Sequence, residues 1–162
     1  MIRVAFLVPG EASGPVVSLD EPLSFWGGFD PETGLVIDRR HPQLGRSLTG
    51  VILFMPTGRG SSSSSNVVAE AIRLHTAPAA VLMSGADSII ALGAMVAEEL
   101  YGLTMPVATI GRDEATLLSS WSNARLEPGG VRPDPAPECQ TKGGGAGTAP
   151  ASPADGSAPG SG

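Results

Sequence analysis

The feature that most constrains the fold is a run of five apolar residues, VILFM, at Val51–Met55. The run does not alternate with polar residues, and this pattern is typical of a β-strand that is covered on both faces. Further short apolar runs at 2–8, 79–83 and 106–110 predict three more strands. A chain with several such strands needs helices or a second sheet layer on both sides of its central sheet.

Helices are predicted in the second half of the chain from apolar residues at helical spacing, over 67–75, 88–100 and 113–121. Asp87 or Ser88 is the expected N-cap of the second of these helices, and Gly102 is its expected end. Asp113 is the expected cap of the third. The predicted fold class is therefore α/β, with a β-rich N-terminal half followed by β-α-β-α-β-α in a β/β/α layered domain.

The composition changes sharply after Glu127. Of the 35 residues from Pro128 to Gly162, 25 are Gly, Pro, Ala or Ser, and Val131 is the only Val, Ile or Leu among them. Such a segment buries too little apolar surface to offset the entropy of ordering it. We therefore expect a folded domain over 1–127 and a disordered tail over 128–162. The single cysteine, Cys139, lies in this tail. Because the chain has only one cysteine, an internal disulfide and a thiolate metal site within one chain are excluded.

The charge balance excludes some classes of partner. The chain carries 16 acidic and 10 basic residues, a formal net charge of −6. Sequence-independent binding of nucleic acid needs a basic surface. Because this chain is acidic, nucleic acid is not an expected partner. No run of 18 apolar residues is present, so no membrane-spanning helix is expected. The first residues, MIRVAFLVPGEASG, make a poor secretory signal, and the expected location is cytoplasmic.

The segment most indicative of chemistry is Pro56–Asn66, PTGRGSSSSSN, between the buried strand and the first helix. A loop that opens a helix presents unpaired N–H groups and the positive end of the helix dipole to an anion. Gly58 and Gly60 allow the backbone to approach a ligand closely. Arg59 adds a permanent cation that can bind a carboxylate or phosphate. The loop lacks the G-K-[ST] ending of a nucleotide-binding loop.

A serine of this run would become a base if the N–H donors and Arg59 stabilised its alkoxide. Such a base needs an adjacent electrophile, and nothing else in the chain offers one. The alternative is a flexible loop in which one serine caps the helix. The two histidines are expected to be structural, His41 in a loop and His75 at a helix end, and Trp26 is expected to be a core or interface anchor.

The motifs LSFWGG, DPETG and PTGRGS, which fall between Glu21 and Ser65, resemble those of the swivelling domain, or small subunit, of the aconitase X group. Ala71–Gly102 is similar to the same domain, and the resemblance covers about residues 1–111. It implies a β/β/α swivelling fold. It also implies half of an enzyme, because the small subunit closes over a large subunit that carries cysteine-bound iron–sulfur chemistry.

The resemblance implies roles for the loop residues. By motif position, Ser61 is the base and Ser62 is the fallback. This chain would bind no cofactor, and iron of the partner's cluster would act as Lewis acid on the leaving hydroxyl. The residues expected to hold the substrate are Gly58, Arg59, Gly60, Ser62 and Ser63.

The resemblance also indicates the reaction class, dehydration of a small hydroxy acid by a lyase. The family includes cis-3-hydroxy-L-proline dehydratase and phosphomevalonate dehydratase. The favoured substrate is cis-3-hydroxy-L-proline, giving Δ1-pyrroline-2-carboxylate, with phosphomevalonate as the alternative. A non-catalytic anion-binding or regulatory module of the same fold is a second class. A phosphohistidine domain is a third, but neither His41 nor His75 lies in the glycine- or threonine-rich turn it needs.

Overall fold

A computed structural model of the chain describes residues 1–135. The elements are β1 (Ala5–Val8), β2 (Ala12–Ser18), α1 (Phe25–Gly28), β3 (Phe29–Asp30), β4 (Leu35–Val36), β5 (Ile52–Met55), α2 (Ser64–Arg73), β6 (Ala80–Met83), α3 (Ser88–Tyr101), β7 (Val107–Thr109), α4 (Arg112–Ser119), β8 (Asn123–Glu127) and β9 (Gly130–Pro133). The segment α1 is a single irregular turn, because Trp26 and Gly27 have non-helical backbone angles. This order confirms the predicted α/β class, with a β-rich first half followed by alternating strands and helices.

Seven strands form one sheet in the order β1-β7-β6-β5-β2-β8-β9. The central strands β2, β5, β6 and β7 run parallel, whereas β1, β8 and β9 pair antiparallel. The backbones of Ile2 and Val131 exchange two hydrogen bonds of 2.8 and 2.9 Å. Because these residues belong to opposite edges of the sheet, the sheet curls until its two edges meet. Strands β3 and β4 form a separate hairpin.

The prediction of a doubly covered strand is confirmed at β5, where all four residues are buried. Leu53 and Met55 point into an apolar cluster that includes residues of α2 and α3. Ile52 and Phe54 point into a second cluster, which includes Ala115 and Leu118 of α4. Alternate side chains of this strand therefore enter two different cores, so every position has to be apolar.

The predicted helix ends are confirmed for α3 but not for α4. The carboxylate of Asp87 accepts hydrogen bonds from two backbone N–H groups of the first turn, at 2.8 and 3.1 Å, and Gly102 ends α3 with φ of 66°. For α4 the prediction of Asp113 as cap is wrong, because the helix begins one residue earlier and Gly111 occupies the N-cap. Asp113 lies in the first turn, where a carboxylate is favoured by the helix dipole and does not cap.

The end of the folded part also differs from the prediction. Residues 130–133 form β9, which pairs with β8, and Val131 is fully buried. Disorder from residue 128 onward was expected because the segment is poor in apolar residues. The β8–β9 hairpin is ordered by backbone hydrogen bonds and by the burial of one valine. Amino-acid composition gives no indication of backbone pairing. The rest of the predicted tail, 136–162 with Cys139, lies outside the described residues.

This arrangement brings the functional loop to the carboxyl edge of the parallel strands. The loop after β5 leads into α2, and the loop after β6 leads into α3, so both helices begin at the same edge. Ligands of parallel α/β sheets bind at this edge. Within residues 1–135, no helix combines the length and apolar character needed to cross a membrane.

Candidate active site

The conformation of the loop from 56 to 63 depends on its two glycines, where the backbone packs closely against neighbouring segments. Gly58 pairs with Leu23 in an isolated parallel bridge, and the next N–H, of Arg59, donates to the Leu23 carbonyl at 3.3 Å. A Cβ on Gly58 would overlap the carboxylate of Asp87. Gly60 has φ of 108°, and a Cβ there would overlap the hydroxyl of Ser24. Both positions therefore require glycine, for close approach and, at Gly60, for backbone conformation.

The five serines divide into different environments. Ser64 is buried, and its Oγ accepts a hydrogen bond from the Trp26 N–H at 3.1 Å. The Ser65 hydroxyl donates to the Ser62 carbonyl at 2.8 Å. Of the run, Ser61 and Ser62 are the two exposed residues. The structure thus leaves the two serines that the motif position favoured open to a reactant.

The Ser61 hydroxyl oxygen accepts a hydrogen bond from the Ser63 N–H at 3.1 Å. The Ser61 carbonyl accepts from the Ser64 N–H at 3.0 Å, so Ser61 sits immediately ahead of the first turn of α2. An N–H donor and the positive end of a helix both favour negative charge on the Oγ atom. The environment of Ser61 is therefore suited to an alkoxide, as the base hypothesis requires.

The interpretation of the run as a helix cap is met in part, because the bond from the Ser63 N–H to the Ser61 hydroxyl is of the capping type and lies just ahead of α2. The N-cap residue of α2 is Ser63, and its side chain makes no capping hydrogen bond. The helix entrance is closed instead by a series of turns, in which Ser64, Ser65 and Asn66 donate their N–H groups to carbonyls three residues earlier. These turns start the helix at Ser64, three residues before the predicted start at Val67.

Arg59 has a partner that local sequence patterns did not identify. Its Nη2 lies 3.5 Å from Oδ2 of Asp38, and the other Asp38 oxygen accepts from the Arg40 N–H at 2.9 Å. Exposed ion pairs of this kind contribute about 0–1 kcal/mol. The guanidinium is therefore oriented by Asp38 and remains able to exchange this carboxylate for that of a ligand.

Arg59, Gly60 and Ser61 line one cleft, whose volume is only about 10 Å³. The other lining residues are Leu23, Phe25, Ser64, Asp87, Ile89 and Ile90. A space of this size holds about one water molecule. The described part of the chain therefore gathers the predicted residues but does not enclose a substrate with them.

A much larger open hollow, of about 470 Å³, lies on the α4 side of the same sheet edge. It includes Pro56 and Thr57 but none of the residues from 58 to 63. Of its charged residues, Asp20 accepts a hydrogen bond from the Gln43 side chain at 2.7 Å, and Arg112 is exposed on the surface. We assign the chemistry to the serine loop, because there an exposed nucleophilic oxygen already has a backbone donor.

His41 is structural, as predicted, whereas His75 is exposed and lies two residues beyond the end of α2 instead of within it. His41 is buried, its Nδ1 accepts from the Gln43 N–H at 3.1 Å, and its Nε2 therefore donates to the Glu21 carbonyl at 3.2 Å. His75 follows α2 with φ of 59°. Trp26 is 58% exposed, which favours the interface alternative over the core alternative for this residue.

Comparison with known proteins gives a consistent result. A sequence profile described as the aconitase X swivel domain matches residues 1–130. A Pseudomonas aeruginosa protein named cis-3-hydroxy-L-proline dehydratase is 49% identical over 125 residues, which are 76% of this chain and 21% of the relative. A Hypocrea jecorina protein of the same name is 45% identical, over 64% of this chain and 17% of the relative. This chain thus spans about a fifth of the length of these two relatives.

A relative of similar size has a different name. The phosphomevalonate dehydratase small subunit of Methanothermobacter thermautotrophicus is 49% identical, over 58% of this chain and 79% of the relative. The crystal structure of Thermococcus kodakaraensis aconitase X in its holo-form superposes with a TM-score of 0.69 at 31% identity, covering 81% of this chain and 95% of that chain. This likeness confirms the fold that the resemblance implied.

Proposed function

Because the chain belongs to the aconitase X swivel domain family, we propose that it is the small subunit of an iron–sulfur hydro-lyase that dehydrates a small hydroxy acid. An aconitase X-type large subunit would supply the rest of the site. The observation that carries the proposal is an exposed Ser61, with a backbone donor on its Oγ, in a cleft of about 10 Å³. Such a site has a base but needs a second body to enclose a substrate.

The residues of this chain do not fit an iron–sulfur cluster. Between residues 1 and 135 there is no group of three or more His, Cys, Asp or Glu that could hold a metal ion. The one cysteine of the sequence, Cys139, lies beyond that range. We therefore assign the cluster to the large subunit, and the steps below use only atoms of this chain.

The serine loop would remove a proton from carbon. The Ser61 alkoxide takes the proton α to the substrate carboxylate, and the electron pair of that C–H bond forms the new double bond. The hydroxyl group leaves the neighbouring carbon as hydroxide, with the electron pair of the C–O bond, on the side of the site that the large subunit would supply. The Ser63 N–H and the start of α2 stabilise the alkoxide before the proton is transferred. Covering by the large subunit excludes water, which strengthens both interactions.

Arg59 would hold the substrate carboxylate. A guanidinium binds a carboxylate through two parallel N–H bonds, and this geometry fixes the orientation of the α-carbon toward Ser61. In the free chain the guanidinium lies next to Asp38, at 3.5 Å. Binding would therefore replace a weak carboxylate partner with the substrate, with Gly58, Gly60, Ser62 and Ser63 completing the loop around it.

For the substrate we propose cis-3-hydroxy-L-proline. Elimination across its C2 and C3 atoms gives an enamine with a C2=C3 bond, and this becomes the product, Δ1-pyrroline-2-carboxylate, when the ring N–H proton moves to C3. The two relatives with this name are matched over 76% and 64% of this chain, whereas the phosphomevalonate relative is matched over 58%. Phosphomevalonate is the second candidate, because that relative is a separate small subunit of similar length. A cytoplasmic location remains a prediction from composition.

The test is to co-express the chain with its large subunit and compare Ser61→Ala with Ser62→Ala, a matched change of an exposed serine. Loss of a general base lowers turnover by about 10²–10⁴-fold, so we expect that effect for Ser61→Ala on either substrate and less than tenfold for Ser62→Ala. The reverse pattern would transfer the role of base to Ser62. Full turnover in both variants would exclude a serine base.

A non-catalytic anion-binding module makes a different prediction. It would bind cis-3-hydroxy-L-proline or phosphomevalonate tightly as an isolated chain. The cleft of about 10 Å³ favours the enzyme instead, and we expect no binding below about millimolar concentration in a calorimetric titration of the chain alone. Micromolar binding by the isolated chain would favour the module.

A further inference from the structure

The helix α3 exposes large apolar side chains to solvent. Five of the ten large apolar residues that are exposed within residues 1–135 fall between 92 and 101. Four of them, Leu92, Met95, Val96 and Leu100, have the three- and four-residue spacing of a single helix face. We call this set the outer face of α3. Contiguous apolar surface of this kind marks an interaction site on a protein that is otherwise folded.

Apart from Ile90, the inner face of α3 is built from small residues. The buried residues of the helix are Ile90, Ala91, Gly93, Ala94 and Ala97. A Cβ on Gly93 would overlap the Ser65 carbonyl and Val68, so α2 lies directly against this face. An ordinary surface helix turns its large apolar residues toward the core. In α3 the large residues face outward, and hence they contribute little to the folding of this domain.

The outer face continues to the candidate active site. Ile89 precedes Leu92 by three residues on the same stripe, and it lines the cleft together with Arg59 and Ser61. Asp87, the cap of α3, lies against Gly58 of the loop. Any body that closes over Ser61 would therefore also lie next to the first turn of α3.

We infer that the outer face of α3 is the docking surface for the large subunit, and this inference rests on the proposed function. In the Pseudomonas relative the matched region is 21% of the protein, so there this domain accompanies a body about four times its size. Residues 136–162 contain no Val, Leu, Ile, Met or aromatic residue with which to cover the face.

The charges beside the face define the partner further. The exposed charged residues of α3 are Glu98 and Glu99, and neither has an ion-pair partner within residues 1–135. Glu99 follows Leu92 by seven residues and therefore lies on the outer face itself, whereas Glu98 lies beside it. The large subunit should therefore present an apolar patch that carries basic side chains opposite the C-terminal turns of α3, one of them facing Glu99 within the patch. Complementary rim charges mainly raise the rate of association.

The experiment measures the affinity of this chain for its large subunit by surface plasmon resonance. Leu92→Asp and Leu100→Asp place a charge on the outer face, and Leu117→Asp is the matched control on α4, because Leu92 and Leu117 are 52% and 51% exposed. We expect both outer-face variants to bind at least tenfold more weakly and the control to stay within twofold. Glu98→Lys should slow association at low salt, with a smaller effect at high salt. Thermal unfolding of each variant alone verifies that the fold is retained.

The outcomes separate the two proposals. If wild type binds the large subunit and the outer-face variants bind equally well, the docking surface is wrong and the proposed function stands. If wild type forms no complex with the large subunit, the proposed function falls, and the docking surface with it. If Leu92→Asp converts a dimer of this chain to a monomer without changing affinity for the large subunit, the face binds a second copy and the inference is overturned.

Discussion

The C-terminal ends of helices α2 and α3 differ from their N-terminal ends in hydrogen bonding and in exposure. At their C-terminal ends the chain closes on itself, since Thr76 and Ala77 donate their N–H groups back to Ala71, and Gly102 donates to Glu98. At their N-terminal ends the fold leaves exposed Ser61 and a small cleft. We call the C-terminal side the closed end because its backbone groups are satisfied by standard helix terminations, although an open hollow of about 360 Å³ lies beside it, lined in part by Ile72, His75 and Gly102. We look for function at the open end, because there the exposed Ser61 hydroxyl lies next to the start of a helix.

Three substitutions test this comparison through the stability of the domain, and Gly58→Ala is expected to have the largest effect. The added methyl group would overlap the Asp87 carboxylate, which is fixed by its two capping bonds. Overpacking and loss of the cap together should destabilise the domain by about 2–3 kcal/mol. Urea unfolding measures the change, and Gly129→Ala is the control, since a Cβ there makes only ordinary contacts. Equal stability of the two variants would mean that the loop is not fixed against α3.

The next effect in size is expected for Ser64→Ala. This change removes the acceptor of the Trp26 N–H and leaves a part-buried donor without a partner. An unsatisfied donor costs about 1–3 kcal/mol, and we expect the lower half of that range in urea unfolding. Ser62→Ala, at an exposed position, should stay within about 0.5 kcal/mol. A loss of similar size in both variants would contradict the division of the serine run into structural and available members.

The smallest effect is expected at the closed end, for His75→Gly. His75 has φ of 59°, a conformation that costs a non-glycine residue about 1–2 kcal/mol. Glycine removes this cost but loses more entropy on folding, so we expect a net stabilisation of about 0.5 kcal/mol by thermal unfolding. His75→Ala keeps the backbone strain and should give no gain. A gain in both variants would attribute the effect to the imidazole instead.

Local sequence patterns predicted the parts of the fold that local physics determines. The doubly buried strand β5 followed from five consecutive apolar residues, and the Asp87 cap followed from a short carboxylate ahead of an apolar helix. Strand β9 was missed because its order comes from pairing with β8 and with Ile2, more than 120 residues earlier. Pairing of distant backbone segments leaves no local trace in composition.

Of the candidate active site, sequence patterns predicted the residues that are neighbours in the chain but not the contacts between distant residues. The glycines and serines of the loop stand together in the sequence, and the structure keeps them together. The pairing of Arg59 with Asp38, and the approach of Asp87 to Gly58, join residues 21 and 29 positions apart through the tertiary fold. The burial of Ser64 also depends on a distant residue, Trp26, so the sequence could not show which serines of the run remain available.

The hydrogen bonds between Ile2 and Val131 have a consequence for assembly. They place the first residues of the chain beside β9, the last described strand, so a polypeptide attached before Met1 would leave the domain next to that strand. A tether to another subunit fused before Met1 would therefore start at the seam where the two edges of the curled sheet meet.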